Sequence, residues 1–182
     1  MNLIDIAKER VGDVLQNGET AVDATLGNGW DLLFLAERVG SKGLVYGFDV
    51  QAQAIESSRK RLVAQGWESR AQLHLRGHEE MAEVICEPIS AVMFNLGYLP
   101  YAEKEIITRP RTTLLALDAS LRLLKDGGIL SIMCYRGHAG GLDEASQVLA
   151  WRSKHEEQGI WEGPQEQPEG TGPFLLTLIK SS

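Results

Sequence analysis

The sequence predicts a single α/β domain spanning residues 1–182, built on a mostly parallel β-sheet with helices on both faces. Short apolar runs alternate with amphipathic helical patterns along most of the chain, which is typical of βαβ units. Two runs, Ile89 to Leu96 and Ile129 to Tyr135, are almost continuously apolar, as parallel strands buried on both faces are. The earliest predicted strand ends in Asp23 and opens into a Gly-x-Gly loop, where such sheets bind ligands.

Apolar spacing and glycine breaks define the individual elements. The predicted helices cover residues 1–15, 32–39, 52–65, 114–124 and 143–155. The predicted strands cover residues 20–25, 44–50, 71–75, 89–96 and 129–135. Ile160-Trp161 and the run from Phe174 to Lys180 flank a Gly/Pro-rich turn, which predicts an antiparallel hairpin that closes the sheet.

Composition narrows the class of protein. A formal net charge of −7 argues against bulk, non-specific binding of nucleic acid, yet allows a local basic patch. No apolar run reaches the roughly 18 residues of a membrane helix, and the N-terminus lacks a secretory pattern. Cys86 and Cys134 have neither metal-ligand nor disulfide spacing, so we expect reduced core cysteines, no metal and a cytoplasmic protein.

The glycine loop predicts a nucleotide-like cofactor. Gly27 and Gly29 follow the first strand, and Asp49 ends the second strand about 20 residues later, where such folds bind ribose hydroxyls. Leu32 occupies the position of the third glycine that lets helix and strand pack closely in dinucleotide-binding proteins. This spacing favours an adenosyl ligand with fewer phosphates, and S-adenosylmethionine is the common one.

Five segments at strand ends together resemble the rRNA methylase family of class I methyltransferases. They are Asp23 to Gly29, Phe48 to Gln51, Gly77 to Glu79, Phe94 to Pro100 and Tyr135 to Gly141. The resemblance implies a Rossmann-like fold of seven strands with an antiparallel last strand, and S-adenosylmethionine as cofactor. The chain also resembles the bacterial members of this family that methylate 5-aminomethyl-2-thiouridine at the tRNA wobble position. Trp30 and Leu32 depart from the family pattern Gly-Asn-Gly-His-Asp-Thr.

The first group of candidate residues would hold the cofactor. Asn28 is placed to bind the methionine carboxylate or the ribose, Asp23 the methionine ammonium, and His78 the adenine amine. Asp49 as a helix cap and His78 as a surface residue are the alternatives. The predicted cofactor-binding residues are Asp23, Thr25, Gly27, Asn28, Gly29, Asp49, Gln51, Gly77, His78 and Asn95.

The segment Asn95-Leu96-Gly97-Tyr98 predicts an amine as methyl acceptor, because it resembles the Asn-Pro-Pro-Tyr motif of amino-group methyltransferases with both prolines replaced. In that motif the Asn side-chain oxygen and a following carbonyl orient the target amine, and the aromatic ring packs on the substrate. An ordinary strand end with a Gly-Tyr turn is the alternative. The predicted catalytic residues are Asn95, Tyr98 and His138.

The remaining candidates face the substrate. The connection from Pro100 to Thr112 is long and carries Arg109 and Arg111, which suit RNA phosphates. Tyr135 and His138 follow the fifth strand, and His138 either accepts the amine proton or fixes the glycine-rich loop. The predicted substrate-binding residues are Gly97, Tyr98, Arg109, Arg111, Tyr135 and His138.

The sequence thus predicts an S-adenosylmethionine-dependent N-methyltransferase. The resemblance alone selects its substrate, an unpaired wobble uridine in a tRNA anticodon loop, whose 5-aminomethyl group would become 5-methylaminomethyl. An rRNA or small-molecule methyltransferase, a non-catalytic S-adenosylmethionine-binding protein and, more distantly, a nicotinamide dehydrogenase are the alternatives. The oligomeric state is open, and a homodimer is compatible with the sequence.

Overall fold

A computed structural model describes residues 2–97 and 108–182 and contains one seven-stranded sheet. The strand order is β3-β2-β1-β4-β5-β7-β6, and β7 alone runs antiparallel to the other six strands. The strands are β1 (Thr20–Asp23), β2 (Leu44–Asp49), β3 (Ala71–Leu75), β4 (Ile89–Leu96), β5 (Leu124–Cys134), β6 (Gly159–Glu162) and β7 (Phe174–Lys180). The predicted fold class, with its antiparallel C-terminal strand, is confirmed.

Helices cover both faces of the sheet. They are α1 (Leu3–Val14), α2 (Trp30–Val39), α3 (Ala52–Gln65), α4 (Met81–Val84), α5 (Pro110–Leu123) and α6 (Gly141–Lys154). Because successive strand residues point to opposite faces, two apolar cores form. One core joins α1, α2 and α3 to the sheet through residues such as Val11, Leu35 and Leu62. The other joins α4, α5 and α6 through residues such as Met81, Leu117 and Val148.

Several helix ends have the local cause that the sequence indicates. The Asn2 side chain accepts a hydrogen bond from Asp5 N at 2.9 Å and begins α1. Gly66, with a φ of 67°, ends α3 in the left-handed conformation that glycine adopts most readily. These caps keep α1 and α3 at the lengths that bury one apolar stripe against the sheet.

The predicted boundaries around α5 are wrong. The helix begins at Pro110, four residues before the predicted start, so the last three residues of the supposed connection 100–112 form its first turn. Proline suits that first position because its fixed φ is helical and its missing N–H would have no partner there. β5 begins at Leu124, and its register shifts opposite Ile89 and Ala91, so residues 124–128 lie in the strand although they were predicted to end the helix.

One of the two cysteines differs from the prediction of buried core residues. Cys134 is buried in β5, whereas Cys86 is exposed, and both are free thiols. Across the described ranges, no helix is long and apolar enough to cross a membrane. Nor do residues 2–97 and 108–182 contain a cluster of three His, Cys, Asp or Glu side chains suited to a metal ion.

Candidate active site

A cavity of about 1000 Å³ opens beyond the carboxyl ends of the parallel strands. The sheet order reverses between β1 and β4, since β1 continues to β2 on one side and β4 to β5 on the other. Ligands of open α/β sheets bind at such a switch point. The volume lies at the upper end of the roughly 300–1,000 Å³ range of ligand pockets. It therefore has room for two ligands side by side.

Most of the predicted site residues line this single cavity. They are Thr25, Gly27, Asn28, Asp49, Gln51, Gly77, His78, Asn95, Gly97, Arg109, Tyr135 and His138. Asp23, Gly29 and Arg111 are not part of the cavity wall. Tyr98 lies outside the described residues, so its catalytic and substrate-binding roles stay predictions. The residues predicted for donor and acceptor thus meet in one cavity.

The glycine loop uses most of its own N–H groups internally. Leu26 N donates to Phe48 O at 3.0 Å, Gly27 N to Asp49 Oδ2 at 3.0 Å, and Gly29 N to Leu26 O at 2.7 Å. Few donors are left for phosphate oxygens, in contrast to a loop that cradles a pyrophosphate. Gly29 has a φ of 76°, and a Cβ there would lie 2.9 Å from Ser58 Cα, so its role is close packing against α3.

Three carboxylates surround this loop. Burial, followed by the charges of Asp31 and Asp49, raises the pKa of Asp23 well above its usual range. Thr25 N donates to Asp23 Oδ1 at 3.2 Å, and the buried Asp23 Oδ2 has no hydrogen-bond partner among the described residues. Burial also raises the pKa of Asp49. A crevice with this much acid favours a cationic ligand and repels a pyrophosphate.

Asp49 connects two loops while keeping acceptor capacity. Its Oδ2 accepts from Gly27 N at 3.0 Å and its Oδ1 accepts from Gln51 N at 2.9 Å. Gln51 is the residue that precedes α3, so the alternative of Asp49 as a helix cap describes part of its role. Each carboxylate oxygen has a second lone pair, however, and Asp49 lies in the cavity wall. It can therefore still accept from hydroxyl groups.

His78 is a buried side chain of the cavity wall, in contrast to the surface alternative. Its Nδ1 lies 3.2 Å from Ala24 O, and burial lowers the pKa of the imidazole. Because a carbonyl only accepts, Nδ1 carries the proton in the neutral ring, which makes Nε2 an acceptor. This tautomer suits an amino-group donor such as the adenine amine.

Asn95 is held from both its backbone and its side chain. Asn95 N donates to Thr25 Oγ1 at 2.7 Å, and Asn95 Nδ2 donates to Asp31 Oδ2 at 2.6 Å. The other oxygen of Asp31 pairs with Lys8 Nζ at 3.1 Å. The side chain that would orient an acceptor amine is thus fixed relative to the glycine loop and α2.

Gly97 allows the ends of β4 and β5 to approach each other. A Cβ on Gly97 would lie 3.3 Å from Tyr135 Cβ and 3.6 Å from His138 Nε2. Burial, and then the charge of Asp31, raises the pKa of the Tyr135 phenol. His138 Nδ1 lies 3.0 Å from Ala139 O, and Gly141 N donates to His138 O at 3.0 Å where α6 begins. Both predicted roles of His138 remain compatible with this placement.

Among the wall residues to which the sequence reasoning assigned no role are Asp31, Trp30 and Arg136. Asp31 looks like an ordinary acid in the first turn of a helix, and nothing in its spacing reveals the contact with Asn95. Trp30 is 58% exposed at the cavity rim and stacks on the Arg61 guanidinium, 3.5 Å from the ring centroid. Arg136 is buried and donates to Gly172 O and Pro168 O, each at 2.7 Å, which holds the connection between β6 and β7 at the cavity.

The fold and the site together define a class of protein: an α/β protein with an acidic nucleoside-binding crevice that adjoins an amide-bearing second subsite. The sequence profile of the family described as "Putative rRNA methylase" matches residues 45–162. The chain belongs to this rRNA methylase family, as the resemblance predicted.

Proteins with known structures or activities support this membership. The chain is 36% identical to a "putative rRNA-methylase" from Clostridium thermocellum, with a TM-score of 0.94 over 99% of this chain and 98% of that one. It is 37% identical to SMU.1697c, a "putative methyltransferase" from Streptococcus mutans in complex with SAH, with a TM-score of 0.87 over the same shares of the two chains. The overall fold is therefore the Rossmann-like methyltransferase fold.

A curated relative has a named RNA substrate. Over 150 residues the chain is 42% identical to the chloroplastic tRNA (mnm(5)s(2)U34)-methyltransferase of Arabidopsis thaliana. This alignment covers 77% of the chain and 55% of that protein. The chain spans about half the length of the curated relatives it matches.

Proposed function

We propose that this protein is an S-adenosylmethionine-dependent N-methyltransferase that methylates the 5-aminomethyl group of 2-thiouridine at tRNA position 34. The observation that carries the proposal is that one cavity contains both the adenosyl-type crevice of Asp49 and His78 and the amide of Asn95. Different relatives support the cofactor and the substrate of this proposal, since one is seen with SAH and another is a tRNA methyltransferase.

The residues of the crevice fit S-adenosylmethionine better than a dinucleotide. Asp49 has acceptor capacity for ribose hydroxyls, and His78 Nε2 for the adenine amine. Asp23 lies behind the cavity wall, and its buried Oδ2, which has no hydrogen-bond partner among the described residues, suits the methionine ammonium through a water molecule. The acids that would repel the pyrophosphate of NAD would instead attract the positive charges of this cofactor. Titration with both cofactors checks this choice, and saturable binding of NAD alone would overturn it.

When bound, S-adenosylmethionine supplies a methyl group on its sulfonium sulfur, and a nucleophile can attack the methyl carbon in line with the C–S bond. Asn95 Oδ1 would accept an N–H from the neutral acceptor amine and thereby direct the nitrogen lone pair at the methyl carbon. The carbonyl of Leu96 or Gly97, which already accepts from Tyr135 N or Thr108 N respectively, would accept the second N–H through its remaining lone pair. The amine nitrogen would gain the methyl group, S-adenosylhomocysteine would leave, and the resulting secondary ammonium would give a proton to water or to His138. Alignment of this kind supplies much of the rate enhancement.

The cavity rim suits an unpaired nucleobase and its phosphates. Arg109 lies in the cavity wall directly before α5, and Arg111 is exposed in the first turn of that helix. Trp30 also lies in the cavity wall, and the face of its ring that Arg61 does not cover offers a surface on which a base can stack. A wobble base is already unpaired, so it enters at little unstacking cost. We place the protein in the cytoplasm, where tRNA carrying the acceptor is present.

Two substitutions separate cofactor binding from transfer. Asp49→Ala should raise the Kd for S-adenosylmethionine about 10- to 100-fold, because it removes charge-assisted hydrogen bonds worth about 1.5–3 kcal/mol. Asn95→Ala should leave that Kd almost unchanged and lower kcat on tRNA by a similar factor. Calorimetric titration and transfer of a labelled methyl group measure the two effects. Gln53→Ala, at an exposed position of α3, is the control.

The nature of the acceptor is tested in cells that lack the protein. Mass spectrometry of their tRNA nucleosides should show accumulated 5-aminomethyl-2-thiouridine, which the purified protein then converts in vitro. Labelled rRNA with unlabelled tRNA would identify an rRNA methyltransferase and overturn the proposed substrate. Tight cofactor binding without transfer to any RNA fraction or small amine would indicate a non-catalytic binding protein.

A further inference from the structure

We propose that Asp31 is a positioning residue that fixes the side-chain amide of Asn95, so that Asn95 Oδ1 is turned toward the acceptor amine. The inference rests on the proposed function for the identity of the acceptor. Asp31 matches the Asp of the family pattern Gly-Asn-Gly-His-Asp-Thr, but the sequence analysis assigned it no role. In the structure it links Lys8 of α1 to Asn95 of β4.

The interacting side chains run from α1 through α2 to β4. Lys8 Nζ lies 3.1 Å from Asp31 Oδ1, and Asp31 Oδ2 accepts from Asn95 Nδ2 at 2.6 Å. The Asp31 side chain is 14% exposed, so water competes little for these contacts. Lys8, Asp31 and Asn95 all lie in the cavity wall. The interaction is therefore part of the site itself.

A carboxylate selects one of the two orientations of a neighbouring amide. The two ends of the Asn95 side chain have nearly the same shape, so packing alone distinguishes them poorly. Asp31 only accepts hydrogen bonds, and a flipped amide would place Asn95 Oδ1 against a carboxylate oxygen. Asn95 Nδ2 must therefore face Asp31, which directs Oδ1 away from α2. An acceptor amine needs that oxygen, because it donates its N–H groups.

The ion pair with Lys8 keeps the selecting group in place. Without Lys8, the carboxylate would be free to rotate toward water at the cavity mouth, and one of its oxygens would lose its partner. Asp31 also influences other groups of the wall, since its charge is the second cause, after burial, of the raised pKa of Tyr135. The carboxylate is thus close to the groups around the acceptor position.

The test is a double-mutant cycle with Asp31→Asn and Asn95→Ala, assayed on tRNA that carries 5-aminomethyl-2-thiouridine. Asparagine at position 31 both donates and accepts, so it no longer selects one amide orientation. Asp31→Asn should lower kcat about tenfold, with KM for tRNA and Kd for S-adenosylmethionine changed less than about threefold. In the Asn95→Ala background the same substitution should change kcat less than about twofold, because its target is gone.

Two further variants keep the cycle decisive. Glu37→Gln makes the same chemical change at an exposed position of α2 and should leave kcat unchanged. Lys8→Met retains the carboxylate and should give a smaller fall in kcat that also disappears in the Asn95→Ala background. If Asp31→Asn lowers kcat equally in both backgrounds, or acts only by weakening cofactor binding, the positioning role is wrong.

A readout without turnover separates this inference from the proposed function. In ¹⁵N-labelled protein, the side-chain amide signal of Asn95, assigned through its loss in Asn95→Ala, should have one proton shifted downfield by the carboxylate. Asp31→Asn should reverse this shift. A wild-type protein that shows the shift but transfers no methyl group to tRNA would overturn the substrate and retain the orientation. An Asn95 signal unaffected by Asp31→Asn would overturn the orientation itself.

Discussion

At the residue scale, the buried carboxyl group of Asp23 lowers the stability of the fold at high pH. Burial raises the pKa of Asp23 in the folded chain above the unfolded value of about 3.9. The native state thus holds this proton more tightly, and the free energy of unfolding falls as pH rises from about 4 through the folded pKa. Asp23→Asn should remove this loss and raise the free energy of unfolding by about 1–3 kcal/mol at pH 8. Urea unfolding measures this gain in stability, which should be smaller at pH 4.5.

The same substitution should weaken cofactor binding. Asn has an amide nitrogen where Asp23 Oδ2 now lies buried without a partner, so it no longer offers a negative charge to the methionine ammonium. We expect a Kd for S-adenosylmethionine raised about tenfold or more by calorimetry. Asp13→Asn, at an exposed position of α1, is the control for loss of a negative charge. A stability gain that is independent of pH, or unchanged cofactor binding, would contradict this account of Asp23.

Single residues were predictable where chemistry and position in the sequence coincide. Asp49 and Asn95 lie at the carboxyl ends of β2 and β4, and His78 lies just beyond β3. The carboxyl ends of parallel strands meet at one edge of the sheet, so these residues were predicted together. The sequence analysis assigned Gly29 to cofactor binding, because a glycine in such a loop suggests a ligand. In the structure Gly29 packs against Ser58 of α3. Only the folded chain shows which side of a loop a residue faces.

At the scale of elements, Glu144 joins α6 to the start of α5. Its carboxylate is 2% exposed and accepts from Thr108 Oγ1 and Thr113 Oγ1, both at 2.6 Å. Thr108 N also donates to Gly97 O at 3.0 Å, so the same acid supports the substrate side of the cavity. Glu144→Ala should lower the free energy of unfolding by about 2–4 kcal/mol, because two hydroxyls lose a charged acceptor.

Thermal unfolding checks this prediction. The loss corresponds to a Tm about 5–15 °C lower for a chain of this size. Glu144→Gln retains one acceptor oxygen and should lose less. Asp143→Ala is the matched control, since Asp143 is the preceding acid on α6 and its hydrogen bond to Gln147 is exposed. Equal losses for Asp143→Ala and Glu144→Ala would show that the buried contacts contribute little.

Elements were predicted best where a glycine or an apolar run marks both ends. The strand from Ile89 to Leu96 has the predicted bounds, because every residue but one is buried and the pattern is continuous. The boundary between α5 and β5 was misjudged because Gly127 and Gly128 resemble a helix stop. They lie instead in the irregular first part of the strand, where the register shifts.

At the scale of the whole molecule, the sheet and its cavity followed from the alternation of strands and helices. The contacts of Asp31 with Lys8 and Asn95 could not be predicted in this way. The three residues come from α1, α2 and β4, and no local sequence pattern encodes the distances between them. The contact between Trp30 and Arg61 at the edge of the cavity was missed for the same reason. That residues 1–182 form one domain, and that two copies form a homodimer, both remain predictions.

Because the net charge is −7, the proposed RNA binding should depend on a few local contacts. The dependence of affinity on salt concentration reports how many phosphate contacts there are. Arg109→Gln with Arg111→Gln should flatten the plot of log affinity against log salt for an anticodon stem-loop by about 1.4, at roughly 0.7 per contact with unpaired RNA. Arg122→Gln with Lys154→Gln removes the same charge from exposed positions near the other ends of α5 and α6, and should leave the slope unchanged. If both pairs flatten it equally, overall charge governs binding, and the rim does not.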